Sequence, residues 1–241
     1  MHSLPKLRKL RLALCRRACS SPSVIRALVF DFDGLILDTE TPLIDAYGDV
    51  HAAHGRPFDR AEFIRAVGHV DYSFNPWRAF GAEIDEAALE AQRHVHNRRR
   101  TLAQPLLPGV TSLLESARNA SLHLAVASNS SHEHVEGHLK RLGLHAHFEF
   151  FACRGDTPSP KPEPDLYRLV LQKFGLRGGE AIAFEDSHTG SLAAKRANLW
   201  TVAVPNESTA HHDFEHVDLR VKSLAEFKLE ELVARFSPKA G

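Results

Sequence analysis

Short, dense apolar runs alternate with amphipathic stretches over most of this chain, and one long segment breaks the alternation. Ala27–Phe32, Leu122–Ser128, Phe148–Cys153, Ala181–Phe184, Trp200–Val204 and Leu219–Val221 are brief runs of the kind expected of strands covered on both faces. Val110–Asn119, His132–Leu142, Pro164–Phe174, Thr189–Ala197 and Leu224–Arg235 carry helical spacing between and after them. This βαβ rhythm predicts an α/β fold, a mostly parallel sheet sandwiched by helices. The break covers 41–107. Pro42 suits the first turn of a helix, and Leu43, Ile44, Ala46, Tyr47 and Val50 follow on helical spacing. Ala61–Val67 and Glu83–Leu102 add two more helical pieces before Pro105, Pro108 and Gly109 punctuate a linker. Residues 41–107 therefore read as an all-helical insertion, and 24–40 with 108–241 as one core.

The polar residues that interrupt the strands change the picture from fold to chemistry. The run LVFDFDGLILDTE, Leu28–Glu40, delivers Asp31 and Asp33 to the C-terminal end of its strand, where open α/β sheets bind ligands. Two buried carboxylates cost several kcal/mol unless something compensates them, so a cation or a chemical role is expected. Glu185-Asp186 end a second apolar strand, AIAFED, just before a helix start that Ser187 or Thr189 could cap. Ser128-Asn129 close a third, LAVASNSS, and offer hydroxyl, amide and N–H groups suited to an anion. Lys161 sits in the loop SPKPEPD.

The opening motif Asp31-Phe32-Asp33-Gly34 with Asp38-Thr39-Glu40, followed in order by Ser128, Lys161 and Glu185-Asp186, resembles the haloacid dehalogenase (HAD) superfamily in its phosphatase and phosphomutase branch. The likeness spans about Arg26 to Phe236 and implies a Rossmann-like core with 41–107 as an α-helical cap. It implies that Asp31 is a nucleophile forming an aspartyl-phosphate, and that Asp33 is the general acid and base. Lys161, Ser128, Asn129 and Gly34 would surround the phosphate. Mg²⁺ is implied as cofactor, held by the Asp31 and Asp186 side chains and the Asp33 backbone carbonyl, with Glu185 a ligand or the partner of one. A small phosphorylated metabolite, such as a sugar phosphate, is the implied substrate. Glu40, His69, Tyr72, Asn75, Trp77 and Arg78 are its candidate contacts in the cap, although Trp77 could equally fill the cap core. Cap closure would hinge near Thr39–Thr41 and Leu107–Gly109.

Rivals remain at this level. A dehalogenase needs no acid two positions after its nucleophile, and a phospho-receiver, which binds rather than turns over, has no inserted cap. A sugar phosphomutase resembling β-phosphoglucomutase is the alternative closest in chemistry. That branch usually has a histidine where Leu43 stands and an early basic residue in the cap, whereas VGHVDYSFNPWR reaches its first arginine at Arg78. Hydrolysis is therefore the expectation.

Composition narrows the setting. The 241 residues carry 30 Lys+Arg and 30 Asp+Glu, so no global charge points to nucleic acid or a charged membrane surface. No apolar run approaches the roughly 20 residues of a membrane span. Cys15, Cys19 and Cys153 suit a reducing interior better than a disulfide framework. A monomer is expected. Among 16 histidines, His132, His134 and His138 share a helix, and His211-His212 lie in a loop; both groups read as solvated rather than as zinc ligands. Residues 1–23 contain six Lys or Arg and no acid. They fit a frayed basic arm or an extended translation start on a cytoplasmic protein, or an organellar transit peptide. A reporter fused to 1–23 separates the two: diffuse signal means an arm, organellar capture means a leader.

Overall fold

The computed structural model describes residues 24–66, 74–81 and 84–237. The expectations for 1–23, including Cys15 and Cys19, and for His69 and Tyr72 lie outside the described residues. Six strands form one parallel sheet in the order β3-β2-β1-β4-β5-β6. They are β1 (Ala27–Phe30), β2 (His123–Ala127), β3 (Phe150–Ala152), β4 (Ala181–Glu185), β5 (Trp200–Ala203) and β6 (Leu219–Arg220). Each lies within the run expected of it, except that β4 extends one residue further, to Glu185.

Strand alternation sorts the side chains between two unlike faces. Leu28, Phe30, Val126, Ile182, Phe184 and Val202 point to one, where α4 (Val110–Asn119), α5 (His132–Arg141) and α8 (Leu229–Phe236) pack. Phe30 stacks on Phe184 with ring centroids 4.9 Å apart. Ala27, Val29, Ala125, Ala127, Ala181 and Ala183 point to the other, against α6 (Asp165–Phe174) and α7 (His188–Arg196). Alanines here let α6 and α7 sit close to the sheet. No helix of the described residues is long and apolar enough to cross a membrane.

The expected helix over Leu224–Arg235 is broken in two. A 3₁₀ turn covers Leu224–Glu226, and α8 starts only at Leu229. Phe227 between them is extended, at φ −140° and ψ 160°, and its ring stacks on Phe184 at 6.1 Å. Burying that ring outweighs one more turn of helix.

The insertion contains α1 (Glu40–Ala53), α2 (Arg60–Ala66) and α3 (Glu86–Leu102). Asp38 Oδ1 accepts from the N–H groups of Glu40 and Thr41, starting α1, and Asp85 accepts from Ala88 N–H, starting α3. Val50, Trp77 and Leu89 form a small core with Tyr47, Phe80 and Ile84. The chain enters and leaves the insertion side by side: Leu107 N–H donates to Ile36 C=O at 3.1 Å, and Leu37 bridges Leu106.

Gly109 ends this return path at φ +89°, and a Cβ there would overlap the backbone of Leu224 and Ala225. Positive φ and backbone overlap together cost about 2 kcal/mol or more for any side chain. Gly109→Ala is expected to lower the urea midpoint accordingly, and an unchanged midpoint would contradict this packing.

Candidate active site

The chain runs from central β1 outward through β2 and β3, then crosses back to β4 on the other side of β1. The reversal opens a crevice at the strand ends between β1 and β4, the position where such sheets bind ligands. Asp31 follows β1, Glu185 ends β4, and Asp186 comes next. Alternation along β4 sends Glu185 to the same side as Ala181 and Ala183, towards Tyr167 of α6 and Gly190 of α7. A Cβ on Gly190 would overlap the Glu185 carboxylate, so α7 can begin here only with glycine at that point.

Lys161 binds the acids together. Its Nζ donates to Asp31 Oδ1 at 2.5 Å, to Glu185 Oε1 at 2.5 Å and to the Ala127 carbonyl at 2.7 Å, which spends all the donors an ammonium has. Tyr167 also donates to Glu185 Oε1, at 2.5 Å, and Asn206 Nδ2 donates to Asp186 Oδ2 at 2.9 Å. Burial raises the Asp31 carboxyl well above its ordinary range; Lys161 opposes the shift and Glu185 adds to it. Burial and then Glu40 raise Asp186. Burial disfavours the Lys161 ammonium, but Asp31 and Glu185 more than compensate and hold its pKa above normal. One cation thus faces three buried acids. Ligand oxygens of Asp31, Glu185 and Asp186 lie within 4.8 Å of one another, close enough to hold a metal ion.

Asp33 is clamped separately. Ser130 Oγ donates to its Oδ2 at 2.6 Å and Ser128 Oγ at 3.4 Å, while His134 Nε2 meets Oδ1 at 2.8 Å. Burial pushes the Asp33 carboxyl up, but His134 and Ser130 outweigh it and leave it lowered. Asp33 in turn raises His134. Gly34, at φ +76°, has no room for a Cβ beside the Asp186 carboxylate and the Asn206 amide. Asn129 faces the cleft, but its side chain ties down the lysine loop: Oδ1 accepts from Lys161 N–H at 2.9 Å and Nδ2 donates to Lys161 C=O at 3.3 Å.

The cleft over these groups holds about 390 Å³. From α1 and α3, Glu40, Leu43, Asn97 and Thr101 line it. Burial pushes the Glu40 carboxyl up to about 7, against hydrogen bonds from Asn206 and Ser208, and its Oε2 has no partner among the described residues. Of the other described candidates, none lines this cleft. Trp77 is 1% exposed, donates to Glu90 at 2.9 Å and stacks on His51, so it fills the insertion's core. Asn75 accepts from Trp77 N–H, and Arg78 pairs with Glu62. Nor is His134 a solvated helix residue as expected; it reaches across to Asp33. Ser130, His134, Tyr167, Asn206, Asn97 and Thr101 escape sequence reading. Ser130 alone had a visible signal, in the SNSS turn.

Acids at two adjacent strand ends, a lysine between them and a hydroxyl-rich turn beside them mark this crevice as the candidate site of an α/β enzyme. The model of the family described as haloacid dehalogenase-like hydrolase matches residues 25–198, and the chain belongs to that family. It is a phosphoric monoester hydrolase. YhcW of Bacillus subtilis (strain 168) is 36% identical over 214 residues, spanning 87% of this chain and 97% of that protein. Hexitol phosphatase B of Escherichia coli (strain K12) is 31% identical over 221 residues, 89% of this chain and 99% of that one. A solved structure of mutant CbbY from Rhodobacter sphaeroides in complex with xylulose-(1,5)bisphosphate superposes with TM-score 0.66 at 28% identity. It covers 84% of this chain and 96% of that one.

Removing the Lys161 charge strands the acids, and breaking a buried pair costs about 3–5 kcal/mol. Lys161→Met is expected to lose about that much at pH 8. The deficit shrinks towards pH 5, because Asp31 and Asp186, with raised pKa values, take up protons in the folded chain before the unfolded one does. Urea midpoints of both proteins at the two pH values test it; a deficit independent of pH would contradict it.

Proposed function

We propose that the chain hydrolyses a small phosphorylated sugar or sugar alcohol, with Mg²⁺, through an aspartyl-phosphate on Asp31. The observation that carries the reading is the pairing of Asp31, held by Lys161 at the crevice, with Asp33 two residues on, held by its own set of donors. Asp31 attacks phosphorus, and the alcohol leaves with a proton from Asp33; Asp33 then takes a proton from the water that frees phosphate. Ser128 would hydrogen-bond a phosphoryl oxygen, and Lys161 would do so by giving up one of its three present acceptors. In the arrangement seen, Asp33 is turned to Ser130 and His134, which favour its ionised form and so its role as base. Turning away from them towards the leaving oxygen raises its proton affinity for the acid step.

Three carboxylates against one ammonium, all oxygen donors and within reach of one another, fit a hard cation such as Mg²⁺. Asp31 and Asp186 would hold it with the Asp33 backbone carbonyl, while Glu185 fixes Lys161. When bound, the ion supplies positive charge that lets an anionic nucleophile approach an anionic phosphate. The hexitol phosphatase and the CbbY complex with a sugar bisphosphate support a carbohydrate substrate. Leu43, which lines the cleft where the mutase branch carries histidine, favours hydrolysis over transfer back to sugar.

Asp31→Asn is expected to lower turnover of an aryl phosphate by roughly a thousandfold or more without lowering the melting temperature. EDTA is expected to abolish turnover of the parent protein and added Mg²⁺ to restore it. Near-normal rates in the variant would rule out this nucleophile, and full activity in EDTA would rule out the metal. Phosphorus NMR on sugar phosphates is expected to show free phosphate; interconversion of sugar monophosphates instead would establish a mutase.

A further inference from the structure

Three histidines share α5, and only one of them meets a catalytic carboxylate. His132 is taken up by Glu136 and Asp156, at 2.9 Å each, and His138 lies against the Phe32 ring. His134 instead lines the cleft, where its Nε2 meets Asp33 Oδ1 at 2.8 Å. An ionised carboxylate only accepts, so Nε2 carries the hydrogen of this contact. Nothing in the attack of Asp31 on phosphorus requires it.

The surroundings of His134 fix its ring. Ser131 caps α5 by accepting from the His134 N–H at 3.4 Å, and buried Val135 and Leu139 anchor the helix in the core. The imidazole stands edge-on to the fully buried Phe32 ring, with centroids 5.6 Å apart at 89°, and packs on His138 at 4.9 Å. Phe32, between the two acids of the opening motif, thus orients the histidine that in turn orients Asp33. Ser130, in the turn before α5, takes the other carboxylate oxygen, Oδ2, at 2.6 Å. Both donors belong to the core, not to the insertion. An ionised carboxylate offers about four acceptor sites, so one firm contact at each oxygen leaves a place for a water.

We propose that His134 is a positioning residue for the second half-reaction, holding Asp33 where it takes the proton of the attacking water. The proposal rests on the phosphatase reading, in which Asp31 carries the phosphoryl group. In this step the water oxygen bonds to phosphorus, a water proton passes to Asp33, and the bond from phosphorus to the Asp31 oxygen breaks. Its electron pair returns to the Asp31 carboxylate, and inorganic phosphate leaves. Asp33 must accept here, and a carboxylate gripped by a donor at each oxygen is presented as an acceptor with its plane fixed. In the first half-reaction Asp33 gives a proton to the departing oxygen, and a good leaving group such as nitrophenolate needs none. The two halves can therefore be separated kinetically.

Turnover of p-nitrophenyl phosphate in Mg²⁺, with rapid acid quench of the phosphoenzyme, tests the assignment. His134→Leu is expected to raise the steady-state level of phosphoenzyme and to slow its decay after a chase. The slowing is roughly tenfold, the scale of one hydrogen bond to a charged group. By contrast kcat/KM, which reports the steps up to departure of nitrophenolate, is expected to stay within about twofold. His134→Gln keeps a side-chain N–H donor and is expected to recover most of the decay rate. Ser130→Ala, at the other oxygen, is expected to move the same quantities in the same direction, and it serves where the leucine variant folds poorly. An unchanged decay rate in these variants overturns the proposal, as does a kcat/KM that falls as far as the decay rate. A parent protein that forms no phosphoenzyme and releases no phosphate overturns the phosphatase reading, and the proposal with it. An active parent with unaffected variants overturns the proposal alone.

Discussion

A single buried ammonium sets the geometry of this protein's functional end. Lys161 is shared between Asp31 and Glu185 at 2.5 Å each, at the ends of two neighbouring strands, and a third acid sits beside them. Buried charges of one sign cannot be assembled without such a partner, and the partner must come from elsewhere in the chain. The loop that brings Lys161 is held by its own backbone, through both polar ends of the Asn129 side chain, at the turn after β2. Three strand ends and one loop are therefore interdependent.

The same constraint explains features of the fold that look unrelated to chemistry. Glu185 can turn towards Lys161 only because α6 and α7 lie close against the alanine face of the sheet, where Tyr167 supplies a second donor. Gly190 clears the space where α7 would otherwise strike the Glu185 carboxylate, and Gly34 does the same beside Asp186. Small residues at these points are thus part of the electrostatic arrangement, because they set how closely charged groups approach.

The core of this arrangement was legible in the sequence because it uses short-range signals. An acid ending an apolar strand is visible as an interruption, and the strand order then places Asp31 beside Glu185-Asp186 without further information. What escaped depends on tertiary approach. His134 looked like one of several helix-face histidines, and only the packing of α5 beside the β1 loop turns it to Asp33 at 2.8 Å. Trp77 was ambiguous as an aromatic residue in a polar segment; only tertiary approach to the rings of Tyr47, His51 and Phe80 places it in the core with Val50 and Leu89. The break before α8 follows from Phe227 finding Phe184, a contact between residues far apart in sequence.

The insertion is coupled to the core by contacts of a different kind. Its two connections pair with each other through Ile36–Leu37 and Leu106–Leu107, immediately after the strand and turn that carry Asp31 and Asp33. Other links from it to the core, such as Arg60 with Glu207 and Arg141 with the Leu102 carbonyl, involve exposed side chains. Exposed pairs of this sort contribute little, about 0–1 kcal/mol each. The buried acid–lysine cluster lies wholly within the core, while Glu40, Asn97 and Thr101 ride on α1 and α3. A shift of the insertion about its paired connections would therefore change what the substrate meets. Glu40 is the exception to a clean division, since it also takes hydrogen bonds from Asn206 and Ser208 and raises Asp186, so α1 is coupled to the acids beneath it. The cleft is thus lined by two kinds of group: those tied together by buried charge in the core, and those carried on α1 and α3.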